Sequence, residues 1–284
     1  MPQLTSRDGL TLYYETHAAQ DPSAVAVVVH GFGEHSGRYA ALCEELGGWG
    51  VTTYRFDYRG HGRAEGRRGH ALSFDEFVGD LDAVAALAAA DHPALPLILL
   101  AHSHGGLIAL HALSRPQGSS PCSWAAAVLS SPFFGIALPV PLWKRALGKG
   151  LSRLIPTLQL PTEISPEVVS HDPDVVAAYK TDPLMSYVAS ARWFTEALAA
   201  HARAPELARG VTLPLLVQAA GDDKLVSLNA TRAVFGQVAS EEKRLMVYDD
   251  LYHELWFERP RDREVVLRDL RAFLSPWLSP NLNT

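Results

Sequence analysis

The sequence predicts an α/β fold: a mostly parallel, doubly wound sheet with a helical segment inserted between two of its strands. Three observations carry this reading. Strand-sized runs are apolar at nearly every position, which marks strands covered on both faces, as in a parallel sheet. The runs alternate with segments of helical periodicity. One long stretch, residues 134–205, shows no strand-like run and is dense in proline.

The elements follow in chain order. Residues 25–30 (VAVVVH) form a β-branched run that stops at Gly31. Residues 51–56 (VTTYRF) form a second, which runs into Asp57 and a glycine-rich loop. Residues 74–90 are alanine-rich and space Phe77, Leu81, Val84 and Leu87 as one helix face. Residues 95–101 (LPLILLA) are a continuous apolar run, and a helical pattern follows Ser103. Residues 124–129, 213–220 (LPLLVQAA) and 244–249 (RLMVYD) complete the predicted strands. The expected core is therefore residues 1–133 and 206–284, and residues 134–205 are an all-helical cap. Leu142, Ala146, Leu151 and Leu154 share one face of a helix there, beside Lys144, Arg145, Lys149 and Arg153. Such an insertion sits over the carboxyl ends of the strands, where open α/β sheets bind their ligands.

Bulk properties exclude several classes. The chain has 284 residues, enough for one large domain with a full core. Its net charge is −6, which argues against a nucleic-acid partner, since those proteins carry basic patches. The N-terminus lacks an apolar segment of signal-peptide length, and no run reaches the roughly 18 apolar residues of a membrane span. The two cysteines, Cys43 and Cys122, lack metal-ligand spacing and are expected as small core residues. A cytoplasmic protein is expected, peripheral to membranes at most.

The chemistry centres on residues 101–106 (AHSHGG). A serine in a strand-to-helix turn is lifted out of the sheet, in front of a helix N-terminus. The fuller signature is G-x-S-x-G. Gly105 fills its second glycine position and Ala101 stands at the first. A serine hydroxyl needs an adjacent base, and the base needs a carboxylate to hold its tautomer. On this fold the order is serine, acid, histidine. The loop after residues 213–220 offers Asp222 and Asp223, and the loop after residues 244–249 offers His253. Each residue alone also fits a structural role: a helix cap, an Asx-turn, a loop histidine. The three in this order, each after a strand, argue together for a triad.

Longer blocks then resemble a known group. VHGFGEHSGRY (residues 29–39), FDYRGHGRAEGRRG (56–69), AHSHGG, YKTDPL (179–184), GDDKLV and YHE are similar to the monoacylglycerol lipase and lysophospholipase branch of the serine α/β-hydrolases. The resemblance covers nearly the whole chain, in order. It implies the α/β-hydrolase fold with a helical cap and a triad of Ser103, Asp223 and His253. Asp223 is preferred to Asp222 because D-K-L-V matches the group's acid motif. The implied oxyanion hole uses the backbone N–H groups of Phe32 and His104, so side-chain identity there is free to vary. Glu34 and Arg38, with His35, are either a salt-bridged loop or a substrate contact. Tyr179 is either a cap-core aromatic or a residue facing a glycerol-ester head. Ala101 and His104 depart from the group's pattern, and His104 is expected to add polarity to the acyl pocket. His102 and His104 lack further ligands at metal-site spacing.

The function expected is a serine carboxylester hydrolase for single-chain lipid esters, monoacylglycerols or lysophospholipids, with no cofactor and no metal. Rival readings are a peptidase or amidase on the same fold and a non-catalytic ligand-binding homologue. No cap carboxylate is identifiable as an amine anchor. The cap is expected to touch lipid surfaces weakly, through its amphipathic helix.

Overall fold

The computed structural model describes residues 3–116, 118–137, 141–162 and 164–278. Its main sheet has eight strands: β1 (Gln3–Thr5), β2 (Thr11–His17), β3 (Ala24–Val29), β4 (Val51–Asp57), β5 (Leu97–His102), β6 (Trp124–Ser130), β9 (Leu215–Ala220) and β10 (Lys243–Tyr248). Their spatial order is β1-β2-β4-β3-β5-β6-β9-β10. From β4 to β10 every neighbouring pair is parallel, while β1 and β2 are antiparallel additions at one edge. The edge hairpin was not legible as strands, because β2 is only partly buried and mixes polar with aromatic residues.

The central strands are buried on both faces, and alternate residues feed two cores. Val25, Val27 and Val29 of β3, with Leu97, Leu99 and Ala101 of β5, face one core. That core is completed by α2 (Asp75–Asp91), α3 (His104–Leu113) and α6 (Ala191–Ala208). Ala24, Ala26 and Val28, with Ile98 and Leu100, face the other, under α1 (Ala40–Gly48) and α8 (Pro260–Leu274). Burying a Leu or Val side chain is worth about 1.5–3 kcal/mol, so a strand apolar at all positions is stable only when both faces are covered. One further helix, α7 (Leu228–Gln237), lies between β9 and β10.

Between β6 and β9 the chain departs from the alternation. It forms α4 (Leu142–Leu154), β7 (Gln159–Pro161), α5 (Pro173–Thr181) and β8 (Val188–Ser190) before α6. The segment is therefore mainly but not wholly helical. β7 and β8 pair antiparallel, Leu160 opposite Ala189. Three-residue strands carry too little pattern to be read from sequence. α6 runs through Pro205 to Ala208, past the expected end of the insertion, and its later alanines pack into the sheet core. α4 lies on α6 by close approach. A Cβ on Gly148 would sit 3.1 Å from the Phe194 ring, and Ser152 Oγ meets Thr195 Oγ1 at 2.8 Å. Trp143, Leu147 and Leu154 of α4 are exposed, and Leu151 is half-buried. The side chains of Leu142 and Lys144 lie outside the described residues.

Candidate active site

Ser103 is the single residue between the end of β5 and the start of α3, and it carries φ 52° and ψ −116°. A non-glycine residue in that region costs on the order of 1–3 kcal/mol and persists only where its surroundings over-determine it. Here they do. Ser103 N–H donates to Ser130 O at 2.9 Å, and Ser103 O accepts from Gly106 N–H at 2.9 Å and Phe133 N–H at 2.8 Å. The glycines that follow let the helix start close against the sheet. A Cβ on Gly105 would stand 2.5 Å from His30 O and 2.6 Å from Val29 O.

His253 lies five residues beyond β10, and its Nε2 is 2.8 Å from Ser103 Oγ. Its Nδ1 donates to Asp223 Oδ2 at 2.7 Å. Asp223 follows β9, and its Oδ1 accepts from the backbone N–H groups of Leu225 and Val226, both at 2.9 Å. The two loops meet through Gly221, where a Cβ would lie 2.4 Å from Asp249 Cα. Asp222 points away, into a half-exposed ion pair with Lys224. Of the two candidate acids, the structure brings only Asp223 to the histidine.

The electrostatics fit this chain of bonds. Burial alone would push the His253 imidazole down. The Asp223 carboxylate and its hydrogen bond outweigh burial, helped by Glu254 and Glu34, and the net direction is up. Burial would raise Asp223, but the His253 charge and the bonds it accepts hold it below the usual carboxylate range. With Nδ1–H fixed on Asp223, Nε2 is the free acceptor that can take the Ser103 proton.

A family model described as serine aminopeptidase, S33, matches residues 20–260. The chain belongs to this family. The monoacylglycerol lipase of Mycolicibacterium smegmatis is 36% identical to it over 268 residues, 94% of this chain and 93% of that protein. A phospholipase of Bacillus subtilis is 34% identical over 265 residues, 93% of this chain and 99% of that protein. The crystal structure of the monoacylglycerol lipase of Paleococcus ferrophilus superposes with a TM-score of 0.82 at 29% identity, covering 93% of this chain and 98% of that one. The α/β-hydrolase fold and the branch expected from the sequence blocks are both shown by these relationships.

Residues 30–39 (HGFGEHSGRY) build a buried ionic cluster beside His253. Arg38 reaches Glu254 through both terminal nitrogens, at 2.8 and 2.6 Å, and Glu34 Oε2 at 2.5 Å. Glu34 also accepts from Tyr39 Oη at 2.7 Å and from Gly31 N–H. Burial opposes ionisation of Glu34, yet Arg38 and the nearby histidines draw its carboxyl down to about 2. Tyr179 of α5 is buried, with the Arg38 guanidinium 5.2 Å from its ring centroid. Arg38 thus meets both Glu34 and Tyr179. Glu254 is the member that sequence reasoning missed. Its only sequence signal is that it adjoins His253.

The two departures from the family pattern have structural accounts. Ala101 is fully buried in the core between β3 and β6, and it needs no positive φ. Glycine is therefore not required there, and the methyl fills core space. His104 is also fully buried. Its ring meets Tyr58 Oη and Trp193 Nε1, each at 3.2 Å, among Phe32, Phe74 and Phe77. Burial drives its pKa well below the ordinary histidine value, with neighbouring histidines adding to the effect. His102 turns elsewhere, with Nδ1 3.2 Å from Ser130 O.

Proposed function

We propose that the protein is a serine carboxylester hydrolase that cleaves single-chain lipid esters, monoacylglycerols or lysophospholipids. The observation that carries the reading is the hydrogen-bonded chain Ser103–His253–Asp223, with Ser103 raised on a strained turn. The named activities of the similar proteins, monoacylglycerol lipase and phospholipase, support the substrate class.

His253 Nε2 takes the Ser103 proton as Oγ bonds to the ester carbonyl carbon. The carbonyl electron pair moves onto oxygen, where the backbone N–H groups of Phe32 and His104 stabilise it. His104 is the first residue of α3, so its N–H is one of the donors a helix leaves unpaired. The intermediate collapses, the ester C–O bond breaks, and the alcohol leaves with the proton from Nε2. Water then repeats the sequence on the acyl-enzyme and releases the fatty acid. Asp223 keeps Nδ1–H in place and stabilises the imidazolium.

A peptidase reading draws on the family's description as serine aminopeptidase. An aminopeptidase needs an unpaired carboxylate to hold a substrate ammonium. Glu34 and Glu254, whose charges reach His253, are both taken by Arg38. The site therefore favours lipid ester hydrolysis. Glu34, Arg38 and Tyr179 act through the His253 loop in this reading and not on the ester head.

Residues 134–205 act as a lid that selects single-chain esters. The outward face of α4, with Trp143, Leu147 and Leu154 beside Arg145 and Arg153, suits weak contact with an anionic lipid surface. No described helix is long and apolar enough to cross a membrane. The test of the central claim is Ser103→Ala against a p-nitrophenyl ester series and a monoacylglycerol. Turnover should fall roughly 10⁴-fold or more, because the triad acts as a unit. A folded Ser103→Ala variant with near wild-type activity would sink the mechanism.

A further inference from the structure

Both amides assigned to the oxyanion hole belong to residues touched by one side chain of the insertion. The Trp193 indole of α6 stacks on the Phe32 ring, centroids 3.8 Å apart, and its Nε1–H donates to His104 Nε2. This second bond fixes a tautomer. An indole N–H only donates, so His104 Nε2 must accept, and in the neutral ring the proton resides on Nδ1. His104 Nδ1–H then donates to Tyr58 Oη at 3.2 Å. Tyr58 Oη–H in turn donates to Gly31 O at 2.7 Å. Gly31 O belongs to the same peptide unit as Phe32 N–H. His30 Nδ1–H donates to that carbonyl too, at 2.7 Å, so both its lone pairs are engaged. The adjoining Gly33 O accepts from Ser186 N–H at 2.7 Å, again from the insertion.

We infer that Trp193, His104 and Tyr58 form a positioning relay that fixes and polarises the Gly31–Phe32 peptide, and so couples the insertion to the oxyanion hole. The inference rests on the esterase reading above. Its physical content is directional. Each donor in the row Trp193, His104, Tyr58 has one acceptor, and the row ends on the back of the peptide whose front faces the developing oxyanion. Hydrogen bonds in series polarise one another, so the Phe32 N–H becomes a better donor as well as a better aimed one. The relay also accounts for a histidine at position 104. A donor is needed on the Tyr58 side and an acceptor on the Trp193 side, and neutral imidazole supplies both on one rigid ring. All three side chains are buried, so neither substrate nor solvent competes for these bonds.

The test uses Trp193→Phe and Tyr58→Phe, which keep the rings stacked on Phe32 and on His30 but remove the donors. Losing an oxyanion donor outright costs about 10²–10³ in kcat, so misaiming one should cost roughly 10-fold. On a short soluble ester we expect kcat to fall by about that factor in both variants, with KM unchanged. Inhibition by a trifluoromethyl ketone, whose adduct places an alkoxide in the hole, should weaken in parallel. Nitrogen-15 NMR of the wild-type enzyme should find His104 neutral with its proton on Nδ1. Wild-type kcat in both variants, or a wild-type His104 protonated on Nε2, overturns the relay. So does a kcat loss with unchanged inhibition by the trifluoromethyl ketone, which would mark mere packing. If either variant fails to fold, the other and the wild-type NMR decide. Ser103→Ala separates the two levels: turnover surviving there defeats the esterase reading, whereas an inactive Ser103→Ala beside unimpaired relay variants defeats the relay alone.

Discussion

The two adjacent aspartates after β9 offer a sharp perturbation, because the structure gives them opposite surroundings. In Asp223→Asn the amide oxygen can still accept from Leu225 and Val226 N–H, so the loop should hold its shape. The amide nitrogen then faces His253 Nδ1, where Oδ2 now accepts at 2.7 Å. An NH₂ group donates, so Nδ1 must become the acceptor and the proton moves to Nε2. That places an N–H where the Ser103 Oγ–H needs an acceptor, at 2.8 Å. The wrong tautomer should cost about 10³- to 10⁴-fold in kcat, or roughly 4–5.5 kcal/mol of transition-state stabilisation. Asp222→Asn loses only a half-exposed ion pair to Lys224, worth about 0–1 kcal/mol of stability, and should keep turnover within about two-fold. Initial rates on p-nitrophenyl butyrate, with Tm as a folding check, measure both. If folded Asp222→Asn loses more than Asp223→Asn, the acid is misassigned and the tautomer account fails.

Other outcomes follow from the same geometry. The His253 pKa is raised in the folded protein, and the base must be neutral, so kcat/KM should rise with pH through a midpoint above 6.5. Asp223→Asn should move that limb to lower pH; an unmoved limb would show that Asp223 does not set it. Burial holds His61 and His102 neutral down to about 3, against 6.5 unfolded, so their contribution is intact above pH 6.5 and is lost as pH falls toward 3. Each should remove up to about 1.4 kcal/mol per pH unit in that window; His253, shifted the other way, adds stability only as pH falls to 6.5 and offsets nothing below it. Urea titrations between pH 7 and 5 should therefore show stability declining, and a flat profile would contradict the burial of these rings. Leu147→Asp and Leu154→Asp on the outer face of α4 should reduce binding to anionic vesicles and activity on dispersed monoacylglycerol, with short-ester turnover nearly unchanged. Equal loss on both substrates would place those leucines in packing instead.

The sequence by itself determined the fold class and singled out Ser103, Asp223 and His253, the three side chains that the fold brings together. Strands buried on both faces are apolar at nearly every position, so β3 and β5 were legible as apolar runs and β9 as one interrupted only by Gln218, with β4, β6 and β10 beside them. A nucleophile turn needs small residues at fixed offsets, so Ser103 and Gly105 were legible too. The acid and base stand after the strands that this fold assigns to them, and the D-K-L-V block separated Asp223 from Asp222. What only the tertiary structure decided involves partners distant in sequence. Arg38 is held by Glu254, 216 positions away, and His104 is held by Tyr58 and Trp193, 46 and 89 positions away. No local pattern encodes such pairs, because a buried polar side chain is specified by whatever group the packing brings to it. The β7–β8 pair and the β1–β2 edge escaped for a related reason: strands that are short or half-exposed lack the apolar continuity that marks a buried one. The role of His104 was open for the same cause. Its sequence position implied a backbone amide and a polar side chain in the acyl pocket, whereas its ring acquired a buried partner on each side when α6 packed against the Phe32 segment.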